Sequence, residues 1–221
     1  MKLASADRAT LLLTLFVITD GVFMIVHLLH LHSSYLGFFS DPEFAATQER
    51  GLAETFQYLK EGWIGLTLVG LAVRVPNLLY PAWALLFGYF LVDDLFQLHE
   101  RLGGRISHHF GFPEILALRP QDFGELTVTA GAALFFAVVI GLGHYRADPG
   151  ARAFSRSMFL LVVGLAFFGV LVDMIHVMLK HPAWQLALDI VENGGEMVMM
   201  SLIAWFVFRT YPEASGASGV R

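Results

Sequence analysis

Cysteine is absent from the 221 residues. That excludes disulfides, thiolate zinc sites, iron–sulfur clusters and thioether-linked haem. Charge is also scarce: Asp, Glu, Lys and Arg make up 15% of the chain against 56% hydrophobic residues, where a soluble domain carries about 25% charged residues. A water-soluble enzyme of this composition is not expected. The net charge of −5 leaves no basic footprint, so nucleic acid is not an expected partner.

What the chain has instead is apolar residues in blocks. Six blocks are long enough for a membrane helix of about 20 residues, near 10–32, 56–74, 80–101, 123–143, 156–180 and 184–208. The expected fold is all-α, a six-helix transmembrane bundle forming one domain over residues 1–211. The Gly/Ser-rich stretch Pro212–Arg221 reads as a disordered cytoplasmic tail. Ser40-Asp41-Pro42-Glu43 reads as a capping box before a long lead-in to the second span. Pro81 suits the first turn of the third, and Gly103-Gly104 its end. Asp122 with Glu125 suits the start of the fourth, and His181-Pro182 separates the last two. Lys2 and Arg8 before a short apolar run resemble a signal peptide, but no small-x-small cleavage site follows.

Loop Lys and Arg residues set the expected orientation. With the N-terminus inside, Lys2, Arg8, Arg74, Arg146, Arg152, Arg156, Arg209 and Arg221 fall inside. Arg50, Lys60, Arg101, Arg105, Arg119 and Lys180 fall outside, spread over longer loops. Both termini are therefore expected on the cytoplasmic side of a multi-pass protein of the cell membrane, of the bacterial inner-membrane type. The outer loops 33–55 and 102–122 are each expected to carry a short helix.

The spans are rich in acids and poor in bases. They hold Asp20, Glu61, Asp93, Asp94, Glu100, Glu125, Asp173, Asp189, Glu192 and Glu196, while Lys60 and Lys180 fall at span ends. An Asp at a helix centre costs about 2.5–3.5 kcal/mol on insertion scales, so something must compensate: protonation, a histidinium or a bound cation. Within the spans the protein offers only His27, His30, His99 and His176. Depth and phase add to this. His27, His99 and His176 lie near the outer ends of the odd spans, and Glu61, Glu125 and Glu192 near the outer starts of the even ones. Each helix has a polar stripe able to face the bundle interior, as intramembrane ionisable residues do. Asn193-Gly194-Gly195 beside Glu192 and Glu196 offers a place for close backbone approach.

Imidazole with carboxylate oxygen is a divalent-metal donor set. Asp173-Met-Ile-His176 is close to the Glu-x-x-His element of di-iron bundles, and three imidazoles from three helices would make a zinc site with an open position for water. The expected ligands are His27, His99, Asp173, His176 and Glu196. Glu61, Asp94, Glu100 and Glu192 are the expected acid–base groups. The expectation is a metal-dependent enzyme in the outer leaflet, acting on a lipid-like or amphiphilic substrate from the membrane. Zinc is placed ahead of iron or manganese, and hydrolysis ahead of di-iron-type oxidation. A proton or divalent-cation transporter would use the same layer, although the inner halves of spans four and five carry almost nothing ionisable. Haem fits poorly, because its pocket would be mostly apolar.

Overall fold

The computed structural model describes residues 2–115, 118–179 and 181–217, with side chains described for all of these except 2–6, 36, 182–183 and 212–217. Among them the architecture is helical throughout, apart from one isolated antiparallel bridge between Ile115 and Leu118. The helices are α1 (Lys2–Leu31), α2 (Ser33–Leu36), α3 (Leu52–Arg74), α4 (Leu79–Phe96), α5 (Leu98–Phe110), α6 (Pro120–Arg146), α7 (Pro149–Ala166), α8 (Asp173–Met178) and α9 (Pro182–Ala217). A π-helical turn, Phe167–Val172, joins α7 to α8 without interruption, and a 3₁₀ turn, Pro42–Phe44, lies before α3.

Five helical stretches are long and apolar enough to cross a membrane: Asp7–Leu31, Leu79–Phe96, Pro120–Arg146, Pro149–Met178 and Trp184–Tyr211. The chain is an all-helical, multi-pass membrane protein. Their outward faces suit lipid. On α1, Leu11, Leu15, Ile18, Val22 and Ile25 are exposed at helical spacing, while Phe16, Asp20 and His27 are buried on the opposite face. The apolar core fills one half of the molecule, where Ile64, Leu68 and Leu71 of α3 meet Leu79, Trp83 and Phe87 of α4 and Ile203, Ala204 and Val207 of α9. Between lipid-bathed helices such contacts stabilise through packing more than through removal of water.

Several boundaries are corrected. α3, a helix of 23 residues, is less apolar than the five candidate spans, because Lys60 and Glu61 interrupt its run. Its start is not the expected lead-in: Asp41 accepts from the Glu43 N–H to cap only the 3₁₀ turn, and α3 begins afresh after Gly51. The third span stops at Phe96 instead of Arg101. Gln97 adopts a left-handed conformation with φ of 52°, so α5 departs as a separate amphipathic helix. Gly103 does not end a span. It lies within α5 against Gly124 of α6, where a Cβ on either would collide with the other helix's backbone. The fourth span starts at Pro120 after an Arg119 cap, with the Arg119 N–H donating to Asp122 Oδ2 at 2.6 Å. The fifth begins at Pro149, because Asp148 accepts from the Ala151 N–H. α9 continues to Ala217. Residues 218–221 of the expected tail, and Lys180, lie outside the described residues.

Candidate metal centre

The site is assembled where α4 breaks into α5. Asp93 is buried, and both of its oxygens serve His99: Oδ1 accepts the His99 backbone N–H at 2.8 Å, and Oδ2 lies 3.1 Å from Nδ1. One carboxylate therefore satisfies the first turn of α5 and fixes the imidazole. Its hydrogen bond pushes the His99 pKa up to about 9. A carboxylate on Nδ1 leaves Nε2 for a metal, the second-shell arrangement of many histidine ligands. Nε2 lies 3.9 Å from Glu100 Oε1. Ligand atoms of Asp93, Asp94 and His99 all lie within 4.8 Å of one another.

α3 closes one side. Tyr58 Oη donates to the Asp94 carbonyl at 3.4 Å. Glu61, 3% exposed, faces Asp94, and its Oε2 has no hydrogen-bond partner among the described residues. Gln57 Oε1 is likewise buried and unpartnered. From α9 comes Glu196, whose carboxylate lies against Gly169 of the π turn, where a Cβ would collide with Glu196 Oε1. The extra residue of a π turn shifts the helix face it presents, a feature common at functional sites.

These groups line one end of a cavity of about 1020 Å³ bounded by α3, α4, α6, α7 and α9. Glu54, Glu61, Asp93, Asp94, His99, Asp122, Glu125, Asp173 and Glu196 form that end. The middle is apolar, with Phe136, Ile140, Leu160 and Val163, and the far end holds His144, Ser155 and Arg156. Leu160 is 68% exposed and Val163 47% while lining the cavity, so it opens sideways. A smaller polar pocket of about 220 Å³ shares Glu54, Gln57 and Glu196 with it and is otherwise lined by loop residues 46–49, Ala53, Glu192, Asn193 and Met197.

Of the expected residues, the structure brings Glu61, Asp94, His99, Asp173 and Glu196 to this one cavity. Glu100 stands beside His99 but outside its wall. His27 is elsewhere and fully engaged: Nε2 lies 2.9 Å from Asp189 Oδ2, and Nδ1 accepts the Ala46 N–H at 3.1 Å. With both nitrogens taken by α9 and the outer loop, it is a buried anchor. His176 is also doubly engaged, 2.6 Å from Glu192 Oε2 through Nδ1 and 3.2 Å from Gln185 Oε1 through Nε2. The expected three-imidazole set is therefore not assembled.

The supposed absence of a basic partner also needs correction. Lys60 lies two turns inside α3, fully buried, and donates to Asp20 Oδ1 at 2.9 Å, the Met197 carbonyl at 3.0 Å and Ser201 Oγ at 3.2 Å. Ser201 Oγ donates in turn to Asp20 Oδ2 at 2.6 Å. Asp20 is thereby compensated. Glu61, Asp94, Asp173 and Glu196 form no ion pair among the described residues. The sequence reading left out Asp93, Glu54 and Gln57 as site groups. Asp93 was already among the uncompensated span acids, and Glu54, Tyr58 and Glu61 share a helical face.

Fold and site together define a polytopic helical membrane protein with a carboxylate-rich cluster at one end of a side-opening cavity. The chain belongs to the family of the domain of unknown function DUF8692, which matches residues 9–210. No curated protein and no solved structure matches it.

Proposed function

We propose that this protein is a membrane-embedded, metal-dependent enzyme acting on an amphiphilic substrate that reaches the site from the lipid. One observation carries the reading. Among the described residues, Glu61 holds a buried carboxylate oxygen with no hydrogen-bond partner, and the cluster it forms with Asp94, Glu196 and the Asp93–His99 pair makes no ion pair with Lys or Arg. Several unpaired carboxylates in a low-dielectric site repel one another, and a divalent cation removes that cost. His99 Nε2, Asp94, Glu61 and Glu196 would hold it, with Asp93 orienting His99 and Asp173 available to a second ion.

Four carboxylates to one imidazole is an oxygen-rich set. It suits iron or manganese better than zinc, and resembles the carboxylate-dominated di-metal sites of helical bundles. Oxidation of the substrate therefore moves ahead of hydrolysis, which stays the second reading, because a bound divalent ion also acidifies water. When bound, an iron or manganese centre supplies dioxygen and one-electron chemistry. The chain's own residues divide the remaining work. Phe136, Ile140, Leu160 and Val163 exclude water and align an apolar substrate, and Glu54 is placed to pass protons between the cluster and the polar pocket, with the Gln57 amide beside it. Transport of a cation through the cavity is disfavoured by its apolar middle.

In the membrane, α3 completes a six-helix bundle with Lys60 and Glu61 on its buried face and Leu59, Leu66 and Val73 toward lipid, both termini are cytoplasmic, and the centre lies toward the outer leaflet. The test is elemental analysis of detergent-purified protein. Wild type is expected to retain near-stoichiometric iron or manganese, Asp94→Asn to lose it, and His176→Ala to keep it. Metal-free wild type would overturn the reading. Metal lost from His176→Ala but not from Asp94→Asn would move the centre elsewhere.

A further inference from the structure

We infer that the cavity binds the acyl chain of an anionic membrane lipid, with the headgroup at Arg156 and the chain running toward Glu61 and Asp94. This deepens the amphiphile reading above and does not depend on which metal occupies the cluster. The cavity is polarised end to end. Its far mouth holds Arg156 with His144 and Ser155, and the Arg156 guanidinium makes no ion pair or hydrogen bond among the described residues. Its other end carries Glu54, Glu61, Asp94, Glu125, Asp173 and Glu196 among its acids. Eight acids line the cavity, more negative charge than one divalent cation and His99 offset, so an anionic headgroup is still disfavoured at that end and attracted at Arg156.

The space between suits a chain. Arg156 and Asp173 stand 17 residues apart on one continuous helical run, about 25 Å at 1.5 Å per residue, most of the roughly 30 Å of a hydrocarbon core, so a chain anchored at Arg156 extends along the cavity with its far end toward the acids. The wall along that length is apolar, and the opening at Leu160 and Val163 gives a chain access from the bilayer without carrying its headgroup across. The position presented to the carboxylate cluster is then on the chain, remote from the headgroup.

Native mass spectrometry of the detergent-purified full chain, titrated with equimolar phosphatidylglycerol and phosphatidylcholine, tests this. Wild type is expected to bind one phosphatidylglycerol with at least tenfold preference. Arg156→Gln is expected to abolish the preference, and Ala132→Trp, which fills the apolar middle, to abolish binding of both lipids. A preference that survives Arg156→Gln, or a lipid fully retained by Ala132→Trp, would overturn the proposal. Metal content measured on the same samples separates this failure from that of the metal reading: Arg156→Gln is expected to keep its metal whichever way the lipid result falls.

Discussion

Asp93 and His99 show how much one side chain settles locally. Six positions apart in sequence, they do not share a helical stripe, and a continuous helix would hold them apart. The left-handed Gln97 breaks the helix, and the Asp93 carboxylate then meets both the backbone and the ring of His99. Replacing Asp93 with Asn removes the charge that holds the imidazole cationic. Histidine NMR of the metal-free protein should show the His99 titration fall from about 9 toward the ordinary 6.5. The sign for stability follows. A folded pKa above the unfolded value stabilises fully below about 6.5 and is lost as pH rises through about 9, so Asp93→Asn should flatten that part of the pH–stability curve. Lys60 gives a second prediction. Lys60→Met leaves Asp20 buried and uncompensated, and is expected to cost about 3–5 kcal/mol in equilibrium unfolding from detergent. Adding Asp20→Asn should recover most of that loss. A single variant as stable as wild type would contradict the buried pair.

At the scale of elements, the sequence made most of the helices legible, because long apolar runs with Pro and Asp at their starts leave little choice of structure. It located boundaries less well, and the reasons are physical. Asp148 and Asp93 act on backbone N–H groups through contacts that hydropathy does not weigh. Lys60 looked like a span end because hydropathy does not show which face of a helix is covered: Lys60 and Glu61 lie on the buried face of α3, while Leu59, Leu66 and Val73 of the same helix are exposed. The Gly103–Gly124 contact was invisible for a different reason: it is a pairing of α5 with α6 at backbone distance, and one chain read alone carries no signal for which glycines meet. It is also testable. Gly124→Val is expected to separate the two helices and destabilise the fold by about 1–3 kcal/mol, read as a lowered Tm. Asp148→Ala, which removes the α7 cap, is expected to cost about 1 kcal/mol by the same measurement, without altering metal content.

Across the whole molecule, the division of labour is between two ends. One half is a packed apolar core around Trp83, whose indole N–H donates to Ser155 Oγ at 3.1 Å. The other collects carboxylates from five helices around an opening. Helical rise converts residue number into position along a helix, and that was enough to group Glu61, Asp94, His99, Asp173 and Glu196, which line one cavity. It did not convey which histidines were already occupied. His27 and His176 spend both ring nitrogens on loops and neighbouring helices, so the proposed centre is richer in oxygen than the histidine count suggested. X-ray absorption at the edge of the co-purified metal tests that claim most directly. The account predicts a first shell dominated by oxygen, with one imidazole per site. A tetrahedral shell containing three imidazoles would contradict it.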